Sequence, residues 1–378
     1  MLSHSLPLDC PDQFLLIHFI GRCFVTNRRQ FIKDAAASAG IVFTGCNLLS
    51  HRLGAQSRAA PARRQVMVGG RRVKTIDIHA HVIIPEATAL MGTKTAPTNS
   101  SVMQPERFQT MDEWGTDMQA LSINPNWYSV DRDVAQKMIQ IQNEKLAELC
   151  AAHPDRLVAF ASVALQFPDL AAEQLEEGVK KYNLKGAAIG GHVNGDELSA
   201  PKFDPFWKKA EELNCLVFMH PQGIPDIQKR LQGNGGLTNV IGNPLETTIF
   251  LSHLIYDGTL DRFPGLRVCA AHAGGYLPSY AARSDYGCVR FPETCKAIKK
   301  KPSEYLRQLY FDSMVFTPEG LRHLVAECGA SQIMIGTDYP FPWSTTTVDH
   351  VLKTPGLSDA DRRAILGENA ARLLGIKS

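Results

Sequence analysis

The stretch Thr75-Ile76-Asp77-Ile78-His79-Ala80-His81 is a short apolar run that closes on two histidines. If it is extended, side-chain alternation puts both imidazoles on one face, with α-carbons about 7 Å apart, and rings at that spacing converge on one cation. Three more runs end the same way: Cys215-Leu216-Val217-Phe218-Met219-His220, Arg267-Val268-Cys269-Ala270-Ala271-His272 and Gln332-Ile333-Met334-Ile335-Gly336-Thr337-Asp338. In parallel α/β folds the chemistry gathers where strands end. Imidazole and carboxylate are the donors that a catalytic divalent ion such as zinc takes when one coordination position stays open. Taken alone, Asp338 has an ordinary account as a turn cap and His272 as the start of a turn. The coincidence of five such residues at strand ends points instead to one metal site: His79, His81, His220, His272 and Asp338.

Working outward, eight strands are predicted, at roughly 72–79, 118–123, 157–163, 184–190, 215–220, 267–272, 308–314 and 332–338. The metal residues then fall on the first, fifth, sixth and eighth. Helical patterns lie between, such as Arg132 to Ala152 with Val134, Met138, Ile141, Leu146 and Leu149 on an apolar stripe, and Asp169 to Tyr182, Asp204 to Leu213 and Pro318 to Cys328. Alternating β and α elements predict a parallel sheet, and eight of them predict its closure into a (β/α)8 TIM barrel. The longest insertions follow strand 1, from His81 to about Gln109, and strand 5, from Pro221 to about Leu245. They shape access to the site, with Gly223 to Asn243 as the lid candidate.

The 378 residues suffice for one large barrel. Their near-neutral total hides an uneven charge: the first 72 residues hold ten Lys or Arg against three Asp, a net +7, which leaves 30 against 35, a net −5. The body carries no basic patch with interleaved aromatics, so the expected partner is a small molecule and not a nucleic acid. Thr26-Asn27-Arg28-Arg29-Gln30-Phe31-Ile32-Lys33, followed by an apolar stretch from Ala35 to Gly45, resembles a twin-arginine export signal, and a short amphipathic helix is the plainer alternative. Phe43-Thr44-Gly45-Cys46 also looks like a degenerate lipobox that would lipidate Cys46 and tether the chain to a membrane. The competing cleavage site lies near Arg58-Ala59-Ala60-Pro61-Ala62. The expected organisation is a non-globular leader over 1–55, a linker over 56–71 and a catalytic domain over 72–378, in the periplasm or, failing export, the cytoplasm. Nine cysteines, six of them after the leader, do not suggest a disulfide scaffold.

Several residues carry secondary expectations. Asp77 shares the face of His79 by alternation, which places it inside the barrel either as a carboxylate orienting an imidazole or as a buried acid satisfied by backbone and hydroxyl donors. Cys215 and Cys269 stand five and three residues before their histidines, so parity points both thiols away from the site. Lys185 sits at the start of strand 4, far from the mouth, which leaves no bridging lysine there and favours one ion over two. His192 either faces the site or caps a loop.

With Asp77-x-His79-x-His81 go Gly190-Gly191-His192-Val193-Asn194, Gly242-Asn243-Pro244-Leu245-Glu246-Thr247-Thr248, Arg262-Phe263-Pro264-Gly265-Leu266-Arg267-Val268, His272-Ala273-Gly274-Gly275 and Gly336-Thr337-Asp338-Tyr339-Pro340-Phe341-Pro342. On these motifs the chain, from about residue 73 to its end, resembles the amidohydrolase superfamily in its aminocarboxymuconate-semialdehyde decarboxylase-like branch. The resemblance implies a metal-dependent hydrolase type of barrel, with zinc held by His79, His81, His220 and Asp338 and water completing the shell. It makes His272 the acid/base residue beside the ion rather than a ligand. Arg283 matches an arginine that reaches into the neighbouring subunit's site to hold a substrate carboxylate, which implies a homodimer. Phe341 and Trp343 are further candidates for substrate contact. Two features depart from the semialdehyde decarboxylases: Pro221-Gln222 stands where they carry tryptophan, and the insertion after strand 1 lacks their arginine-bearing stretch. That particular substrate is therefore not assigned.

The function expected from this set is zinc-dependent, non-oxidative decarboxylation of an unsaturated or aromatic carboxylic acid, with no organic cofactor. The same ligands would also serve a hydrolase of a lactone or amide. A periplasmic metal- or ligand-binding protein is the non-enzyme alternative, disfavoured by the open coordination position and the spare base.

Overall fold

The computed structural model describes residues 63–92, 105–341, 343 and 347–377. The leader, with the arginine pair and Cys46, lies outside them. Eight parallel strands follow one another: β1 Ile76–His81, β2 Met118–Ser122, β3 Leu157–Ala159 resuming at Ala161–Ser162, β4 Gly186–Ile189, β5 Leu216–Met219, β6 Arg267–Ala270, β7 Tyr310–Asp312 and β8 Ile333–Met334. Each is paired in parallel with the next. The cycle closes where β8 and the residues after it meet β1: Ile78 N donates to Ile335 O at 2.9 Å, Asp338 N to His79 O at 2.8 Å and His81 N to Tyr339 O at 2.6 Å. The result is the closed parallel barrel that the spacing predicts, with the four helical patterns realised as Arg132–Ala152, Pro168–Lys180, Asp204–Glu212 and Pro318–Cys328.

Two apolar clusters hold it together. One fills the interior: Ile76 and Ile78, Met118 and Ala120, Val158 and Phe160, Ala188, Leu216 and Phe218, Cys269 and Ala271, and Met334 come from seven of the strands and their ends, and Tyr310 of β7 packs against them. The helix Asn369–Leu374 adds Ala370, Ala371, Leu373 and Leu374 to it. This helix sits beneath the barrel, opposite the site. Just before it, a Cβ on Gly367 would lie 1.8 Å from the carbonyl oxygen of Lys74, at the entry to β1. The second, larger cluster lies between strands and surrounding helices and contains Trp127 and Trp207, both fully buried.

The body begins earlier than residue 72. Met67–Val68 and Arg71–Arg72 form an antiparallel hairpin, and Val66, Val68 and Val73 are buried in the outer cluster. Arg72 is hydrogen-bonded through Nη2 to Asp117 at 2.6 Å. The segment 56–71 reads as linker in the sequence because a two-residue strand has no alternation to reveal it.

One irregularity decides what faces the site. In β1, Asp77 pairs with Gln119 but Ala80 with Leu121, so β1 carries one extra residue between them, a β-bulge. Ile76 and Ile78 point inward and Asp77 does not share their side, yet the bulge swings His79 onto the interior, where its ring lies 5.1 Å from Phe218. The expectation that Asp77 shares the face of His79 is thus corrected. A second correction concerns Cys269, which packs inside the barrel with Ala271, because His272 adopts φ 53° and leaves the strand alternation. Cys215 does lie in the outer cluster, as parity predicts. The chain also contains a disulfide that spacing did not reveal, Cys288–Cys295. No helix among the described residues is long and apolar enough to cross a membrane.

Candidate metal centre

His79 and His81 leave β1, His220 follows β5, and Asp338, at φ 59°, turns in just beyond β8. One atom from each gathers within 4.8 Å of the others, and all four residues are buried. Nε2 of His79 is 3.0 Å from Nε2 of His81. Oδ1 of Asp338 stands 3.1 Å from His79 Nε2, 2.9 Å from His81 Nε2 and 3.8 Å from His220 Nε2. Donors sharing one tetrahedral ion at about 2.1 Å lie about 3.4 Å apart, so these separations fit a single ion. The orphaned atoms agree: buried His220 has no hydrogen-bond partner on either ring nitrogen among the described residues.

The outer nitrogens fix the tautomers. Nδ1 of His79 donates to Oδ2 of Asp312 at 2.7 Å. Ser122 Oγ donates to Ala80 O at 3.2 Å and accepts from Nδ1 of His81 at 2.9 Å. Each bond places the ring proton on Nδ1 and leaves the Nε2 lone pair toward the ion. Glycine lets the strands approach: a Cβ on Gly336 would lie 2.8 Å from Cβ of Asp312 and 3.0 Å from Cβ of His79.

Electrostatics follow from burial of like groups. Burial opposes a charge on His79, but the carboxylates of Asp338 and Asp312 outweigh it and push its pKa up to about 10. Burial takes His81 down to about 4, only partly countered by its bond to Asp338, and His79 adds to the fall. Burial and the surrounding imidazoles lower His220 well below the ordinary histidine range. Asp338 is held far below the carboxylate range: burial opposes its charge, and His79, His272 and His81 overcome it. Burial thus holds His81 and His220 neutral beside an ionised carboxylate, and a divalent cation bound at Nε2 of His79 would displace the proton that the two carboxylates favour there.

His272 stands apart from the ligand group. Its Nε2 is 3.8 Å from Oδ2 of Asp338, the oxygen not turned to the other three rings, and its Nδ1 has no partner among the described residues. Asp312 holds this turn too, accepting from the backbone N–H of His272 at 2.9 Å and Ala273 at 2.8 Å.

The other sequence candidates fall in varied places. Asp77 accepts from Thr337 Oγ1 at 2.6 Å, Thr337 N and His79 N at 3.1 Å, and Gln119 Nε2 at 3.0 Å. It is therefore the buried acid satisfied by backbone and hydroxyl donors, bracing the closure of β1 on β8 and not touching an imidazole. His192 caps loops: its Nε2 meets Gly223 O at 3.1 Å and its Nδ1 accepts from Gly195 N at 3.1 Å. Phe341 lines the cavity above the site, 5.9 Å ring to ring from His81. Trp343 lies farther out, 6.5 Å from Phe316. Arg283 is exposed on the helix Ala281–Arg290 and does not line the cavity of its own chain. Lys185 meets Asn183 Oδ1 away from the centre, and the described residues offer one metal-binding group.

Sequence reasoning missed Asp312 and Glu246. The signal for Asp312 was an acid closing the apolar Leu309-Tyr310-Phe311, the same pattern as in the other strands. Buried Glu246, on the helix Asn243–Tyr256, accepts from the backbone N–H of Gly191 at 3.1 Å, Gln222 at 2.8 Å and Gly223, and so ties the exits of β4 and β5 together.

A cavity of about 590 Å³ rises from His81, His220 and Asp338, walled by Ile83, Ile123, Pro221, Pro340 and Phe341 among others. Known proteins share this frame. A family model described as amidohydrolase matches residues 76–376. The chain is 29% identical to 2-amino-3-carboxymuconate-6-semialdehyde decarboxylase of Dictyostelium discoideum over 71% of this chain and 76% of that protein. It is 30% identical to gamma-resorcylate decarboxylase of Rhodococcus jostii strain RHA1 over 72% of this chain and 87% of the relative. A solved dihydroxybenzoic acid decarboxylase from Polaromonas sp. JS666, with bound manganese and the inhibitor 2-nitroresorcinol, superposes with a TM-score of 0.73 at 26% identity, covering 80% of this chain and 97% of that one. With the matched model spanning the whole barrel and the buried ligand set lying within it, the chain belongs to the amidohydrolase family.

Proposed function

We propose that the protein is a metal-dependent, non-oxidative decarboxylase of an aromatic or unsaturated carboxylic acid. The observation that carries this reading is the division of Asp338, with Oδ1 turned to three ligand imidazoles and Oδ2 to the spare base His272 at the floor of a ligand-sized cavity. The relatives named above carry the same activity in their names.

His79, His81, His220 and Asp338 would hold the ion, which when bound supplies positive charge to a substrate carboxylate and a neighbouring oxygen. Asp312 and Ser122 keep the rings aimed. His272, with its Nε2 3.8 Å from the ionised Oδ2 of Asp338 at the cavity floor, would deliver a proton to the carbon that bears the carboxylate. The bond from that carbon to the carboxylate then breaks, carbon dioxide leaves, and the electron pair returns to the conjugated system. We assign zinc to the site; the manganese of the Polaromonas structure makes it the competing ion, and elemental analysis of protein purified without added metal decides between them.

Among the described residues the cavity is lined by no Lys or Arg. We assign the missing positive charge to Arg283 of a second copy. Tyr280, Tyr286, Val289 and Phe291 are exposed around it, an apolar face suited to a homodimer. Export is likewise our reading of the leader, with lipidation of Cys46 as its membrane-tethered form; the Cys288–Cys295 disulfide supports an oxidising compartment. Cell fractionation tests the location and sedimentation tests the dimer.

The deciding assay supplies metal-loaded protein with aromatic and dienoic acids and with lactones, and follows carbon dioxide release and ring opening separately. Carbon dioxide from an acid supports the proposal. Ring opening alone makes the protein a hydrolase.

A further inference from the structure

The cavity has a polar wall that the chemistry above does not use. Asn124, Asn126, Gln142, Gln222, Asn239 and Asn243 line it, and Asp338 is the one ionised group among its described lining residues apart from histidines. The wall is thus neutral and rich in hydrogen-bonding amides.

Two of these amides have unused capacity. Gln142 is 2% exposed, yet its Oε1 meets no donor among the described residues, and buried Oδ1 of Asn124 meets none either. The next residue along the helix Arg132–Ala152 shows the contrast. Asn143 is equally buried, donates to Ser162 O at 3.1 Å and accepts from Ser162 N at 2.8 Å, so both ends of its amide are committed to the barrel wall. Gln142 has no such structural employment. Buried amides are normally paired, and one facing a ligand-sized cavity is a group for which a ligand supplies the partner.

We propose that Gln142, with Asn124, reads an uncharged hydroxyl donor on the substrate, so that the enzyme selects a hydroxylated aromatic monoacid over a diacid of similar size. This rests on the decarboxylase reading above. A hydroxyl gives the amide oxygen the donor it lacks. An O-methyl ether has no such proton and brings its own lone pairs against that oxygen. A second carboxylate turned to this wall would be desolvated against neutral amides, with Arg283 of the second copy engaged by the first carboxylate, which is unfavourable. A site built to hydrogen-bond a hydroxyl discriminates against an analogue lacking it, because the site's own buried group is then left unpaired.

The test uses the metal-loaded full chain. Binding of 2,3-, 2,4-, 2,5- and 2,6-dihydroxybenzoate, of their mono-O-methyl ethers and of benzene-1,3-dicarboxylate is measured by calorimetry, and carbon dioxide release is followed independently. For at least one dihydroxy acid the wild type is expected to bind about tenfold or more tighter than to its ether, and tighter still than to the diacid. Gln142→Met, similar in size and without the amide, is expected to bring the hydroxyl-to-ether ratio to within about threefold while metal content and thermal midpoint hold. Asn124→Leu gives the same readout if the first variant fails to fold. A ratio unchanged in the folded variants, or a diacid bound as tightly as the hydroxylated acids, overturns the inference. Selective binding of a hydroxylated acid without carbon dioxide release overturns the decarboxylase reading and leaves the recognition role of Gln142 standing.

Discussion

Oδ2 of Asp312 accepts from Nδ1 of His79 at 2.7 Å, and the same carboxylate accepts from the backbone N–H of His272, Ala273 and Met314. One side chain at the end of β7 thereby sets the tautomer of a ligand on β1 and the position of the base after β6. Asp312→Asn exchanges an acceptor for a donor, which either turns the proton of His79 to the wrong nitrogen or faces an amide against a backbone N–H. Metal affinity is expected to fall about 10- to 100-fold, read by competition with a chelating dye. An unchanged affinity would mean that His79 is held by its packing alone.

His272 and His220 should separate under the same substitution. His272→Asn is expected to keep one ion per chain while carbon dioxide release falls about 100-fold or more, because the residue lies outside the four-donor group. His220→Asn removes a donor and is expected to lose the ion. Elemental analysis beside the activity assay distinguishes the two outcomes, and loss of metal from the His272 variant would make it a ligand.

Glu246 predicts a pH dependence. Burial raises its pKa to about 7 against the backbone donors of Gly223, Gln222 and Gly191, which favour its charge. The native state therefore binds more proton than the unfolded chain between about pH 4.5 and 7, so this residue's contribution to stability declines as pH rises through that window and levels off above it. Relative to Glu246→Gln, which cannot ionise, the wild type should lose up to about 3 kcal/mol across the window. Denaturant melts of both proteins at several pH values supply the measurement, and a constant difference would refute the assignment.

The disulfide predicts a modest effect. Cys288 and Cys295 are seven residues apart, and closing so short a loop stabilises by about 2.5 kcal/mol in the chain-entropy account. Cys288→Ser with Cys295→Ser should lower the thermal midpoint with no change in metal content, and reductant should lower the wild-type midpoint to match.

The barrel was legible in the sequence because each interior strand is an apolar run and several of those runs end on residues that can ligate a metal. The five residues of the site could be read from the ends of those runs, while their division into four ligands and a spare base came from the resemblance. What alternation could not show was where it fails: the extra residue in β1 turns Asp77 away from His79, and the left-handed turn at His272 puts Cys269 inside. Both breaks lie at the catalytic end, where geometry is set by contacts from other strands. Gln142 escaped for a different reason. The helix Arg132–Ala152 buries Ala135, Met138, Ile139, Gln142, Asn143 and Leu146, so the inward stripe is offset from the one marked by Ile141 and Leu149, and its two amides stand outside the apolar pattern.

The floor of the barrel has a temporal consequence. Ile76 and Ile78, near the start of the domain, are covered by Leu373 and Leu374 near its end, and β1 finds its second neighbour only in the residues around β8. A nascent chain leaving the ribosome must therefore carry an unsealed sheet until residues 369–374 emerge. Closure, and with it assembly of a site that draws ligands from both ends of the domain, waits on that last helix.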